Sequence, residues 1–189
     1  MSTNQDTEQF EYYLSSLDEL GEILIEADKI ESVSSGVLRL TLGTIMASSG
    51  TIFLLEHGHT TLRELSSIGI KDISPSIPLS DSFLLNIKVY QYGHLDYDEP
   101  PDWIGNDLKK YLIKSKIKTI VPLFHKNSLL GLLCIGEKFM SEKFSDIDYK
   151  ILEIISNHLT KALFNYELIK DVELRKKELN IKLLELETL

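Results

Sequence analysis

Few side chains in this chain of 189 residues stand at spacings that support covalent or metal chemistry. Its one cysteine, Cys134, excludes an internal disulfide and a multi-cysteine metal site. It lies between Leu133 and Ile135, so it reads as a small buried hydrophobe rather than a reactive thiol. His57 and His59 flank Gly58 in a turn. Two imidazoles can hold a transition metal, but no carboxylate or thiol is placed to complete the set, and no metal site is expected. Asp96, Asp98, Glu99 and Asp102 are acidic and close together. Interleaved with Tyr and Pro, they lack the spacing and glycine of a calcium loop, so a solvated acidic loop is expected. Serines are plentiful, but no G-x-S-x-G elbow appears.

What remains is non-covalent binding. Phe83, Ile87 and Tyr90, with Tyr92, Tyr97 and Trp103 beside them, can form apolar and aromatic walls. Lys88 and Asp96 can supply the few polar contacts that a small-molecule pocket needs. The competing reading is that these aromatics pack a second core. No cofactor is predicted, and the effector of such a pocket is unnamed by the sequence.

The elements that would position these residues centre on Ile117–Phe139. Lys118–His125 and Leu129–Gly136 read as two apolar strands joined by a turn at Lys126–Ser128. Gly131 and Gly136 suggest close backbone approach or a bulge. Pro122 donates no ladder hydrogen bond, so its nitrogen should face an unpaired edge, a bulge or a pocket. Before this hairpin, Phe10 to Ile25 carries one apolar stripe, a first helix from Asp6 or Thr7 to near Ala27. Ser32 or Ser34 opens a second helix that stops at Ser48-Ser49-Gly50, with Gly36 and Gly43 allowing tight packing against the sheet. Thr51–Glu56 and Thr60–Ser67 form a strand and its return, and Ser76–Leu79 is a short edge strand. Ser80 or Asp81 caps a helix to about Tyr92, ended by Gly93. His94–Tyr97 is a short strand, and Trp103–Ser115 a further helix.

Ser145 caps the last helix, with Asp146 and Asp148 at the positive end of its dipole. Running to Leu189, it would be about 66 Å long. Leu159, Ala162, Tyr166, Ile169, Leu179, Leu183 and Leu186 lie on its apolar stripe, a coiled-coil seam with one irregular step. An isolated amphipathic helix of that length is unstable alone, so a homodimer is expected.

Formal charge is −9 and no strongly basic face appears, so nucleic acid and anionic membrane are poor partners. No apolar run reaches the roughly 18 residues of a membrane span. The acidic N-terminus lacks the basic and apolar segments of a signal peptide, and a cytoplasmic location is expected.

Three stretches, in order, resemble a known family. They are Thr119-Ile120-Val121-Pro122-Leu123, then Leu130-Gly131-Leu132-Leu133-Cys134-Ile135-Gly136, then Phe144-Ser145-Asp146-Ile147-Asp148-Tyr149-Lys150-Ile151-Leu152. They are similar to the C-terminal half of a GAF domain, a PAS-related fold. The resemblance implies an α+β architecture: about six antiparallel strands, helices on both faces, and a long C-terminal coiled-coil helix. It places an N-terminal extension at 1–16, the GAF-like domain at 17–166 and a signalling helix at 167–189. It also implies that the first, second and last helices share one face, often as a dimer bundle. The middle helices enclose a pocket on the other. The function implied is regulatory: an effector bound near residues 83–103 acts through the last helix on a downstream signalling protein. A ligand-free dimerisation scaffold is the alternative.

Subfamily chemistry fits less well. Glu137-Lys138 stands where cyclic-nucleotide binders carry Asn-Lys, and Tyr149 where they carry Glu, although Lys138 and Asp148 keep a possible ion pair. Bilin attachment needs a cysteine in the pocket, and Cys134 lies mid-strand. The free methionine sulfoxide reductases of this fold use a resolving partner that a single cysteine lacks. The expectation is therefore a protein that is not an enzyme.

Overall fold

The computed structural model describes residues 19–23, 29–56, 60–71, 76–139 and 143–187. The predicted first helix falls mostly outside them, as do His57 and His59. Six strands, β1 (Gly50–Leu55), β2 (Thr61–Ile68), β3 (Ser76–Pro78), β4 (Leu95–Asp96), β5 (Ile117–His125) and β6 (Ser128–Gly136), form one sheet in the order β3-β2-β1-β6-β5-β4. All its pairings are antiparallel. The helices are α1 (Ile30–Ile45), α2 (Asp81–Asn86), α3 (Asn106–Lys114) and α4 (Asp146–Glu187). Single 3₁₀ turns at Ile87–Tyr90 and Asp102–Ile104 take the ends of the two predicted middle helices. Gly105, at φ +88°, is what separates the second turn from α3.

Period-two alternation divides the apolar residues between two cores. Ile52, Leu54, Val121, Leu123, Leu133 and Ile135 face α1 and α4, where Val37, Leu38, Leu152, Ile155 and Leu159 meet them. Phe53, Leu62, Ile120, Leu132 and Cys134 face the middle helices and meet Phe83, Ile87, Ile104, Leu108 and Leu112. The three α4 residues of the first core recur at three- and four-residue steps, which keeps them on the side of the helix that lies against the sheet.

Gly131 pairs with Leu54 across the β1–β6 ladder, and a Cβ there would overlap the Phe53 carbonyl oxygen. Gly131→Ala is therefore expected to force the two central strands apart, at a cost of about 2–3 kcal/mol. A denaturant melt that matches the wild type would remove this explanation of the glycine. Gly36 packs instead against Ile23 of the preceding helical segment, and Gly43 borders open space. Neither glycine serves packing against the sheet.

Pro122 has a specific consequence. The Tyr97 amide donates to the Lys118 carbonyl at 3.3 Å, so alternate residues Lys118, Ile120 and Pro122 turn their backbone groups toward β4. The next rung would require an N–H from Pro122. Pairing stops at Leu95 opposite Ile120, and residues 91–94 leave the sheet. The Gln91 side-chain amide donates to the Lys126 carbonyl farther along.

The first turn of α4 carries a reciprocal cap. Ser145 Oγ accepts from the Asp148 amide at 3.2 Å, and Asp148 Oδ2 accepts from the Ser145 amide at 2.7 Å. Lys138 Nζ donates to the same carboxylate oxygen at 2.7 Å. Among the described residues, no helix is long and apolar enough to cross a membrane.

Candidate functional site at the β4 edge

Residues 95 and 96 pair with 120 and 119, which puts Asp96 and Thr119 on the sheet face that α4 covers. Thr119 Oγ1 donates to Asp96 Oδ1 at 2.6 Å, and the Tyr149 hydroxyl donates to Asp96 Oδ2. His94 stacks on the Tyr149 ring, with centroids 3.8 Å apart and planes 3° from parallel. Its Nε2 lies 3.4 Å from Asp96 Oδ2. The edge strand is thereby tied to the opening turn of the longest helix. Partial burial, followed by the Asp96 carboxylate, pushes the Tyr149 phenol well above its ordinary pKa, so it remains a hydrogen-bond donor.

A cavity of about 500 Å³ lies on each side of Tyr149. The first is bounded by residues 91–94, by Pro122 and Phe124 of β5, and by the first turns of α4. Its opening follows from the ladder ending at Pro122. Two hydroxyl residues of α4, Ser156 and Thr160, contribute to its wall and are buried, as four-residue spacing on the sheet-facing side requires. The second cavity is bounded by Tyr97, Asp98, Lys118, Glu137, Lys143 and Phe144. Both volumes fall within the range of about 300–1,000 Å³ common for ligand pockets.

The predicted pocket residues separate in space. Phe83 and Ile87 are fully buried in the second core, with Tyr90 and Trp103 stacked at its margin, 6.2 Å between centroids. Lys88 and Tyr92 are exposed, Tyr92 at the rim of the first cavity. Asp96 and Tyr97 line the second. Residues 83–90 and residues 92–97 thus do not enclose one space. Reading the chain in order missed His94, Thr119, Tyr149, Ser156 and Thr160. The available signal was polar residues within apolar stretches: Thr119 in a buried strand, and Ser156 and Thr160 four apart in a helix stripe.

Among the seam residues, Leu159 is fully buried against the sheet, and Ala162 and Tyr166 are half-buried beside it. They belong to the domain's own packing. Ile169, Leu179 and Leu183 are exposed, and the side chain of Leu186 lies outside those described.

Cys134 is fully buried in the second core, and burial pushes its thiol pKa up. Nearby, Glu64 Oε1 accepts from Ser67 Oγ at 2.9 Å, while its Oε2 is buried without a partner among the described residues. Burial raises the Glu64 pKa more than the Ser67 bond lowers it. The folded state therefore holds this proton to higher pH than the unfolded chain. Its stabilising contribution is present at acid pH and is lost as pH rises through the raised value. Glu64→Gln is expected to gain in melting temperature over the wild type as pH rises from about 4 to 8. A constant difference across that range would contradict the assignment.

No family model matches the chain, and no curated protein sequence matches it. Solved structures do. The GAF domain of a phosphoenolpyruvate-protein phosphotransferase from Coxiella burnetii superposes with TM-score 0.67 at 12 % identity, over 85 % of this chain and 98 % of that one. The GAF domain of a putative sensor histidine kinase from Pseudomonas syringae pv. tomato gives TM-score 0.65 at 14 % identity, over 92 % and 99 %. A free methionine-R-sulfoxide reductase from Neisseria meningitidis, solved in complex with its substrate, gives TM-score 0.59 at 16 % identity, over 80 % and 87 %. This last neighbour overturns the expectation of a non-enzyme. The same architecture is found in a reductase, and the exclusion of catalysis does not stand. Strand order, the two-sided helix arrangement and these superpositions agree: the chain has the fold of a GAF domain.

Proposed function

We propose that this chain is a sensory GAF-fold domain whose small-molecule site adjoins Tyr149 and whose output is the α4 helix. The observation that carries the reading is the Asp96–Tyr149 hydrogen bond, which joins the edge strand between two cavities to the first turn of a 42-residue helix. A ligand in either cavity touches this link and changes the balance between docked and released forms of the helix start. The domain occupies 17–166, and 167–189 transmits the signal as a parallel pair with a second copy to a downstream partner. In support, Leu168–Glu185 is exposed throughout and carries apolar residues that the domain does not cover. Structural neighbours include a GAF domain from a putative sensor histidine kinase and a methyl-accepting chemotaxis protein.

A second reading is a ligand-free dimerisation scaffold. It is favoured by the second core, where fully buried Phe83, Ile87, Ile104, Leu108 and Leu112 fill the space beneath the middle helices. Native mass spectrometry of the purified chain, then of the same sample denatured, separates the two readings. A dimer with extra mass that is lost on denaturation supports the sensor. A dimer of bare chain mass, with no metabolite altering hydrogen exchange in residues 146–160, supports the scaffold.

A further inference from the structure

We infer that, independently of the cavities beside Tyr149, α3 is a proton-coupled lid: it seats fully on the sheet while Glu64 is a neutral acid and loosens once Glu64 ionises. Glu64 owes its position to a fault in the β1–β2 ladder. Glu64 pairs with Phe53, Ser66 with Ile52 and Ser67 with Thr51, so Leu65 is an extra residue, a β-bulge. In a regular strand, residues three apart point to opposite faces. The bulge brings Glu64 and Ser67 to one face, that of Phe53, and Ser67 Oγ reaches Glu64 Oε1 at 2.9 Å. Leu65 turns to the first core instead. A carboxyl group is thereby fixed at the second core, with Oε2 shielded and without a partner among the described residues.

The lid crosses above it. α3 packs on β3 and β5, which flank β2, β1 and β6 in the sheet, so it spans those three strands. Its Tyr111 ring meets Phe53 edge-on, with centroids 5.2 Å apart and planes at 74°. The Tyr111 hydroxyl is buried, and Thr51 and Ser115 approach it without completing a hydrogen bond. Around Glu64 stand Ser67 of its own strand, Thr51 and Phe53 of β1, Cys134 of β6 and Tyr111 of α3, none of them a cation. Arg63 is held on the other face by Glu31 and Glu56, and Lys109 by Asp102. Lys71, Asp107, Lys110 and Lys114 are exposed. An ionised Glu64 therefore has one hydroxyl donor and no counter-charge beneath the lid. Burial already holds its carboxyl above the ordinary range, and Ser67 opposes this only in part.

α3 is suited to respond. It has nine residues, too few for a helix stable by itself, and no side chain caps its N-terminus. Gly105 at φ +88° and Lys116 at φ +53° are turning points at its two ends. Its buried residues are Leu108, Tyr111 and Leu112, so a small change beneath Tyr111 alters much of its seating. Opening the lid returns Glu64 to water and to the ordinary carboxyl range. Below about pH 4 both forms carry the proton and the lid is most stable. As pH rises the open form loses its proton first, so closure weakens until the raised value of the closed form is passed.

Hydrogen exchange of the full chain from about pH 4 to 8, expressed as protection relative to intrinsic rates at each pH, tests this. Protection in residues 106–114 is expected to fall with pH, by at most about tenfold per unit, and to stay below that of β6. Glu64→Gln, which cannot ionise, should hold it level. Ser67→Ala, which removes the hydroxyl donor, should carry the fall to higher pH. A helix whose protection is level in the wild type, or falls equally in Glu64→Gln, overturns the inference. So does a helix that exchanges only together with β6, because α3 then has no opening of its own. Where Glu64→Gln fails to fold, Ser67→Ala decides, and a pH dependence identical to the wild type overturns the lid.

Discussion

Asp148→Ala is expected to cost about 3–5 kcal/mol of stability, the range for removing one partner of a buried ion pair. The Lys138 and Asp148 side chains are only 11 % and 5 % exposed, so little solvent is present to take over the lost interaction. Asp148 Oδ2 accepts from Lys138 Nζ, from the Ser145 amide and from Ser145 Oγ, the last at 2.9 Å. Its removal strands a buried ammonium and opens the helix cap in one step. For a chain of this size the loss corresponds to roughly 10 °C in melting temperature by circular dichroism. Lys138→Met combined with Asp148→Ala leaves no buried charge and should recover part of the loss. Should the single variant melt within about a degree of the wild type, α4 must be anchored by its apolar face alone.

Leu179→Asp with Leu183→Asp is expected to convert a dimer to monomers in sedimentation velocity. The two leucines are 61 % and 56 % exposed, four residues apart on one side of α4. A stripe left so open is stabilised only by a partner, and a carboxylate at two successive seam positions leaves buried charge without a counter-ion. Far-ultraviolet circular dichroism should also fall, because the unpaired helix beyond Glu167 is marginal alone. A dimer that survives both substitutions would move the interface to the α1 side of the domain. Such a result would leave the projecting end of α4 for a different partner.

Much of the fold was legible because its signals are local. The β5–β6 hairpin appears as two apolar runs broken by a polar turn, the Ser145 cap as a hydroxyl three residues before an acid, and the close approach at Gly131 as a glycine within a strand. Pro122 announced an unpaired position in β5, since a missing N–H has the same meaning in any sheet. The Lys138–Asp148 pair was also visible, although ten residues and a strand-to-helix connection separate its members.

The candidate site was only half legible. Aromatic residues in 83–103 were assigned to one space because they are near in sequence. Phe83 and Ile87 before β4, and Ile104 after it, pack in the second core, whereas His94 and Asp96 at the sheet edge itself meet Tyr149 of α4. Tyr149 and Thr119 reach Asp96 from 53 and 23 residues away, and no spacing rule predicts contacts at that range. The α4 seam shows the same division. Its periodicity marked one continuous stripe, yet Leu159 is buried within the domain and Leu179 is exposed. Sequence alone determined the element order, the Ser145 cap and the apolar stripe of the last helix, because each depends on neighbours within a few positions along the chain, whereas the second helix opens at Ile30 without the serine cap expected at Ser32 or Ser34. Tertiary structure decided which part of that stripe is covered and which polar groups meet beside Tyr149, because burial and long-range pairing depend on how the strands are ordered in the sheet.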